Sequence, residues 1–256
     1  MSGATAAELV RPMAEEDVDQ VASVTAEAFG TDLGTAVLRR AWEERLRHSL
    51  HSHPEGSFVS ERGGLVTGAA QAVVRDRIWI LSLMAVSPTL REGGEGRALM
   101  DSTLGYGSDC EGGLIIASDD PRALRLYGSS GYALGPISRA ARGARGAPHT
   151  PDLEVALLRG SSIWRLEDRG FVVTMPGRRV WALAARDEDA ATALLWHGLD
   201  QLRGEPLIEI GWISGRQQWA IDVLLAARLS LSTYSAIGTR GAVGPLHPYI
   251  PSPPFA

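Results

Sequence analysis

The segment from Arg77 to Val86 constrains the fold more than any other. Its stretches Ile78-Trp79-Ile80-Leu81 and Met84-Ala85-Val86 put apolar side chains on both faces of a strand. Successive strand residues point to opposite faces, so such a strand must be covered on two sides and belongs in the middle of a sheet. It runs through Ser87-Pro88 into a loop holding Gly93, Gly94 and Gly96, then into an amphipathic segment from about Gly96 to Gly105. A buried strand that turns through glycines into a helix is an anion site. The glycines let backbone N–H groups face inward, the helix start adds partial positive charge, and together they can cradle a pyrophosphate.

The surroundings read as α/β. Leu9 to Pro12 is a short strand, and Val18, Val21, Ala22, Thr25, Ala28 and Phe29 share one helix face. A second helix covers Leu33 to His48, with Val37, Ala41, Trp42 and Leu46 as its buried stripe. Ser57 to Glu61 and Leu65 to Val74 flank Arg62-Gly63-Gly64 as a hairpin. After the glycine loop and its helix come a strand over Gly113 to Ala117, a helix opened by Pro121 and closed near Gly131, and a strand from Tyr132. Ser138 to Asp152 has no apolar periodicity and reads as a connection. Beyond it, Phe171 to Met175 and Arg179 to Ala185 form a second hairpin, and Ala191, Leu194, Leu195, Leu199 and Leu202 mark a helix. A strand over Leu207 to Ile213, a helix over Gln217 to Leu229, a strand over Leu231 to Ile237 and a Pro-rich tail from Pro245 complete the chain. Strand, helix, strand, helix, strand occurs twice, a weak structural repeat.

Composition removes several classes. With 45% hydrophobic and 21% charged residues, the 256-residue chain can pack a core, which excludes a disordered protein. Its basic residues are all Arg, and a net charge of −5 disfavours nucleic acid, which asks for a basic surface. Ser82 interrupts the longest apolar run, far short of a membrane span. Met1 to Leu9 carries no basic residue or long apolar core, so no secretory leader is expected and the cytoplasm is the expected compartment. Cys110 is the lone cysteine and lacks a partner for a disulfide or a CxxC site.

Two phosphate readings compete for the loop. A dinucleotide fingerprint finds an acidic residue at the right distance in Asp119 but lacks the third glycine, where Leu99 stands. The other reading is a resemblance. Arg91-x-x-Gly94-x-Gly96 after a strand ending Val86-x-Pro88 resembles the acyl-CoA pyrophosphate loop of the GNAT N-acetyltransferase superfamily. Asp120-Pro121-Arg122-Ala123-Leu124-Arg125-Leu126-Tyr127, closing at Gly131-Tyr132, resembles that family's later helix motif. The order of elements agrees over about residues 8 to 138.

The resemblance implies an α/β fold with a mixed, centrally splayed sheet flanked by helices, followed by a second, degenerate GNAT-like domain. The expected limits are 1–140 for the acyl-CoA-binding domain, 141–152 for a connection and 153–256 for the second domain. It also implies acetyl-CoA as donor and direct attack of an amine on the thioester. Amides of Gly93, Gly94 and Gly96, with Arg91 and Arg97, would hold the pyrophosphate. The main chain of Met84, Ala85 and Val86 would meet the pantetheine arm, and Asp119, Asp120, Arg122 and Ala123 would complete the donor-binding group. Tyr127 falls at the position of the acid that protonates the departing thiolate; its structural alternative is an aromatic that packs the helix onto the sheet. Expected partners are a small-molecule or peptide amine and, as one assembly, a homodimer, with no nucleic acid and no membrane.

This sequence departs from the family in places. Glu92 and Glu95 bring carboxylates into an anion loop and should weaken binding unless they point to solvent. Asp120 stands where the family often has Asn. The central strand has no carboxylate for a general base, which leaves Glu27, Asp32, Glu43, His48, Asp119 or ordered water. His48, His51 and His53 have poor spacing for a metal and read as a solvated helix end. Arg139, Arg142 and Arg145 read as connection rather than a 3′-phosphate site, and Asp222 as the exposed edge of a helix. In the second half, Arg186-Asp187-Glu188-Asp189 occupies the place of the phosphate loop, with carboxylates and no glycine. Five of the seven Trp residues, at 164, 181, 196, 212 and 219, fall in this half and read as core. The rival functions are a non-catalytic acyl-CoA-binding or regulatory protein and a dinucleotide-binding oxidoreductase.

Overall fold

A computed structural model describes residues 10–90, 93–141, 160–175, 179–205, 208–243 and 248–250. The chain forms two compact units, Met1–Gly113 and Leu114–Ala256.

In the first unit, β1 (Val10–Pro12), β2 (Ser57–Arg62), β3 (Leu65–Arg75) and β4 (Ile78–Val86) pair antiparallel in that order. Helices α1 (Val18–Phe29) and α2 (Ala36–Ser52) bury Val18, Val21, Leu46 and Leu50 against Val59, Val66, Ala69 and Leu83. Helix α3 (Glu95–Tyr106) buries Leu99 and Met100, and Trp79 of β4 donates from Nε1 to the Thr103 carbonyl at 2.8 Å. Trp79 and Leu83 would share a face of a regular strand, yet they reach different helices. The cause is a bulge. Gln71 pairs with Leu83 and Ala72 with Leu81, which leaves Ser82 extra and flips the face. A buried side chain also serves it: Arg45 of α2 donates from Nη2 to the Ser82 carbonyl at 2.8 Å. Gly68 permits this packing, since a Cβ there would lie 2.9 Å from the Ala85 carbonyl and 3.0 Å from Leu99.

The second unit carries β5 (Gly112–Ile116, its first two residues ahead of the boundary), α4 (Pro121–Ser129), β6 (Ala133–Ala141), β7 (Ser162–Leu166), β8 (Gly170–Met175) and β9 (Arg179–Ala185). Then follow α5 (Glu188–Gln201), β10 (Glu209–Ser214), α6 (Gln218–Ala226), β11 (Ser230–Gly241) and β12 (Tyr249–Ile250). The strand order is β5-β11-β6-β10-β9-β8-β7, with β12 beside β9. The two repeats therefore interleave. β11, from the later repeat, lies between β5 and β6 of the earlier one, and β6 lies between β11 and β10. The β6–β11 ladder runs antiparallel from Thr239 opposite Ala133 to Ser230 opposite Ala141. This exchange accounts for a compact unit that starts at Leu114, upstream of the connection read at 141–152. It also corrects the reading of residues 138–141 as connection, because they are strand. Ser138 to Ala141 carries no apolar alternation, and pairing on both edges supplies what the pattern lacks. Residues 142–152 lie outside the described residues.

β9 and β10 run parallel and pair at one position, Glu209 opposite Arg179, before they diverge. β12 then takes up the same edge of β9, with Tyr249 opposite Ala184 and Ile250 opposite Leu183. Ile250 is fully buried in the core formed by residues such as Leu183, Leu195, Ile210 and Leu224. No helix among the described residues is long and apolar enough to cross a membrane.

Candidate functional site

The residues singled out in sequence fall into two groups, one on each unit. On the first unit, β4 delivers Met84, Ala85 and Val86 to a short 3₁₀ turn, Pro88–Leu90. The Ser87 N–H bonds the Thr67 carbonyl at 2.8 Å, and the Gly93 N–H returns to the Leu90 carbonyl at 3.1 Å, so the loop is pinned at both ends. Arg91 and Glu92 lie outside the described residues. Gly94 has φ +81°, a conformation that favours glycine, and serves as the N-cap of α3 without any capping side chain. The first N–H groups of a helix have no acceptor within it. At α3 the N-cap residue itself contributes no side-chain acceptor, and the glycine backbone leaves room to approach, which suits a diphosphate. Gly96 is half-buried and Arg97 exposed.

Glu95 departs from expectation. It points neither to solvent nor into the loop: it is fully buried, and one carboxylate oxygen accepts from Nε of Arg62 at the end of β2. Burial of a carboxylate demands such a partner. Sequence reading missed Arg62, which sits in the β2–β3 turn like any solvated turn residue.

On the second unit, Asp120 is the N-cap of α4. Its Oδ1 accepts from the Arg122 N–H at 2.9 Å, and its two oxygens receive Nε and Nη2 of Arg122, each at 3.1 Å. Asp at the family's Asn position thus has a structural task, capping the helix that Pro121 opens. Asp119 is exposed and Ala123 half-buried. Tyr127 is buried, and burial, reinforced by the Asp120 charge, pushes its phenol well above the ordinary tyrosine value. A phenol so placed is protonated at neutral pH, as an ordinary tyrosine is, and the upward shift makes it a weaker proton donor.

The remaining candidates are dispersed. Glu27 accepts from the Ser87 hydroxyl at 3.2 Å, which ties α1 to the end of β4. Glu43 pairs with Arg47 at 3.4 Å, and Asp32 accepts from the Gly34 N–H at 2.7 Å. His48 is half-buried, His51 Nε2 bonds Glu15 at 2.9 Å, and His53 Nδ1 bonds the Tyr106 hydroxyl at 2.8 Å. Among the described residues no group of three His, Cys, Asp or Glu could hold a metal ion. Arg139 lies within β6, and Arg142 and Arg145 lie outside the described residues. Asp222 is exposed and accepts from Gln218 at 2.6 Å. Of the later tryptophans, Trp181, Trp212 and Trp219 are buried and Trp164 partly so, whereas Trp196 is exposed.

At the corresponding place in the second unit, Asp187 caps α5. Its Oδ1 accepts from the Ala190 N–H at 2.8 Å and pairs with Arg169 Nη2 at 2.6 Å. That helix start is closed by its own carboxylate.

Similarity to known proteins agrees with this architecture. No curated protein sequence matches the chain. Among solved structures, a proposed acetyltransferase from Pyrococcus horikoshii is 15% identical with a TM-score of 0.75, over 96% of this chain and 95% of that one. A tandem GNAT protein from the clavulanic acid biosynthesis pathway is 17% identical with a TM-score of 0.60, over 92% of this chain and 98% of that one. A GCN5-related N-acetyltransferase from Kribbella flavida is 17% identical with a TM-score of 0.60, over 91% and 70%. At these identities the likeness speaks for the fold alone, and for both repeats of it. The sequence profile of the acetyltransferase (GNAT) domain matches residues 15–151, more than half of the chain. The chain therefore belongs to the GNAT acetyltransferases, the family whose acyl donor is acetyl-CoA.

Proposed function

We propose that the protein transfers the acetyl group of acetyl-CoA to the primary amine of a small molecule or peptide, by direct attack of the amine on the thioester. The observation that carries this is the glycine N-cap of α3, Gly94 at φ +81°, which the chain reaches from β4 through a short turn. In this reading the amides of Gly93, Gly94 and Gly96, with Arg91 and Arg97, hold the diphosphate. The main chain of Met84, Ala85 and Val86 lines up the pantetheine arm, and Asp119, Asp120, Arg122 and Ala123 belong to the same donor group. Acetyl-CoA supplies the activated acyl carbon. As the new C–N bond forms and the C–S bond breaks, Tyr127 gives its proton to the sulfur, and the proton of the attacking nitrogen leaves through water or a nearby carboxylate. A placed general acid is worth about 10²–10⁴-fold in rate. Residues 153–256 are the second GNAT-like domain, without donor duty, and the chain between Ala141 and residue 153 joins it to the first. The cytoplasm is the proposed compartment.

The rival, a non-catalytic acyl-CoA-binding protein, drew on Glu95, Asp120 and the missing strand carboxylate. Arg62 and Arg122 give the first two residues structural tasks, which weakens that case. A screen of primary amines with acetyl-CoA, read by released thiol, tests the proposal. Steady turnover with at least one amine is the expected result, and CoA binding without turnover across the library would favour the rival.

A further inference from the structure

We infer that Arg62 is a phosphate-binding residue of the donor loop and that Glu95 is the group that positions it. The inference rests on the reading of the loop as the diphosphate site. Glu95 lies in the first turn of α3, fully buried, with one oxygen on Arg62 Nε. Its other oxygen is buried and has no hydrogen-bond partner among the described residues. A buried carboxylate holds a cation firmly, since loss of that partner would leave an uncompensated charge. The start of α3 further favours the negative charge.

Arg62 is therefore tethered, but it is not enclosed: its side chain keeps 42% of its exposure. Among the described residues its guanidinium bonds Glu95 alone, through Nε. One terminal nitrogen of the fork reaches the loop. A Cβ built on Gly93 would lie 3.1 Å from Arg62 Nη2, so the guanidinium rests against the glycine backbone that precedes α3. A side chain at position 93 would displace it. The arrangement puts a planar, permanently charged guanidinium beside Gly93, one residue before the N-cap of α3, and such a fork can grip two oxygens of a phosphate at once. Glu95, which by sequence is a charge of the wrong sign in an anion loop, thus acts by aiming a cation at that loop.

The test compares the full-length protein with an Arg62→Gln/Glu95→Gln double variant, in which two amides replace the ion pair and no buried charge is stranded. Calorimetric affinities are measured for CoA, for dephospho-CoA, which keeps the diphosphate, and for pantetheine, which lacks it. Loss of a charge-assisted contact should weaken CoA and dephospho-CoA alike by about ten- to a hundredfold and leave pantetheine unchanged. Unchanged CoA affinity, or equal weakening of all three ligands, would overturn the role of Arg62. A wild-type protein that binds CoA no more tightly than pantetheine would overturn the loop reading itself, a different failure.

Discussion

At the end of β4 the chain enters α3 through Gly94, which brings no side chain to the helix start. At the end of β9 it enters α5 through Asp187, whose carboxylate takes the Ala190 N–H at 2.8 Å and binds Arg169 as well. The path is the same in both repeats, a strand after a hairpin followed by a helix, but one N-cap is a glycine without a side chain and the other a carboxylate that takes the helix's own N–H. Two further contrasts run the same way. Beside β9, at Leu183 and Ala184, lies the chain's own β12. Seven residues past the N-cap of α4 stands Tyr127, whereas seven past the N-cap of α6 stands Leu224, fully buried. A repeated fold thus carries two equivalent paths and, in our reading, one chemically equipped site. Activity in such a chain belongs to a handful of side chains, and a few substitutions are enough to close a site without disturbing the architecture.

The largest effect should come from closing the open start. Gly94→Val forces a β-branched residue to φ +81° and places its branches where backbone amides would meet phosphate. CoA affinity by calorimetry should fall at least several hundredfold in the folded variant. Retained affinity would break the contrast at its first point, since the glycine would then have no ligand to accommodate.

Next comes the acid. Tyr127→Phe should keep CoA affinity and lower kcat by about 10²-fold when chemistry limits the rate, since only a transition-state proton is lost. Because burial raises the phenol above its ordinary value of about 10, the wild-type pH–rate profile should show no fall there from its ionisation. Near wild-type kcat in the variant would reduce Tyr127 to a packing residue and erase its difference from Leu224.

The tail tests the other side of the comparison. Ile250 is a fully buried side chain on a two-residue strand, so Ile250→Ala should cost about 2 kcal/mol of unfolding free energy, near the low end for core truncations because so short an edge strand relaxes easily. Denaturant unfolding measures it. Removal of the residues after Pro245 should destabilise the second unit further while CoA affinity persists. A loss of CoA binding in a still-folded truncated protein would show the tail to be part of the donor site.

How far this was legible in sequence differs between the two starts. The hairpin of β2 and β3, the strand β4 and the Pro121 helix follow from apolar pattern and turn chemistry, and they fall within a few residues of the expected limits. The acid run at 187–189 was legible as hostile to phosphate; that Asp187 would itself cap the helix follows from its N-cap position. What sequence could not yield came from pairing over long separations. β6 extends through Ala141 because β11 and β10 flank it, although Arg139, Ala140 and Ala141 carry no strand pattern. Arg62 and Glu95, 33 residues apart, carry no local signal of their contact. For β12 the prolines and the apolar anchors Tyr249 and Ile250 point to an extended run lying along the protein, but nothing local says that its edge partner is β9.

The smallest effect concerns Asp187, and it separates the two reasons why the second start should bind no anion. Its carboxyl is held below the ordinary aspartate value, chiefly by the Ala190 N–H and then by Arg169. A lowered value in the fold means a stabilisation that is present above the unfolded value of about 3.9 and is lost as the pH falls through the native one. The melting temperature of wild type should therefore exceed that of Asp187→Ala modestly at neutral pH, and the two should converge in strong acid. A difference that survived there would show that the cap does not depend on charge. Asp187→Gly goes further and gives α5 the same glycine N-cap as α3. If the cap alone kept CoA out, this variant would take up a second equivalent. We expect one equivalent in both wild type and variant, because β12 still lies along β9 and Leu224 still stands where α4 has Tyr127. Two equivalents in wild type would break the comparison, whereas two in the variant alone would narrow it to a single residue.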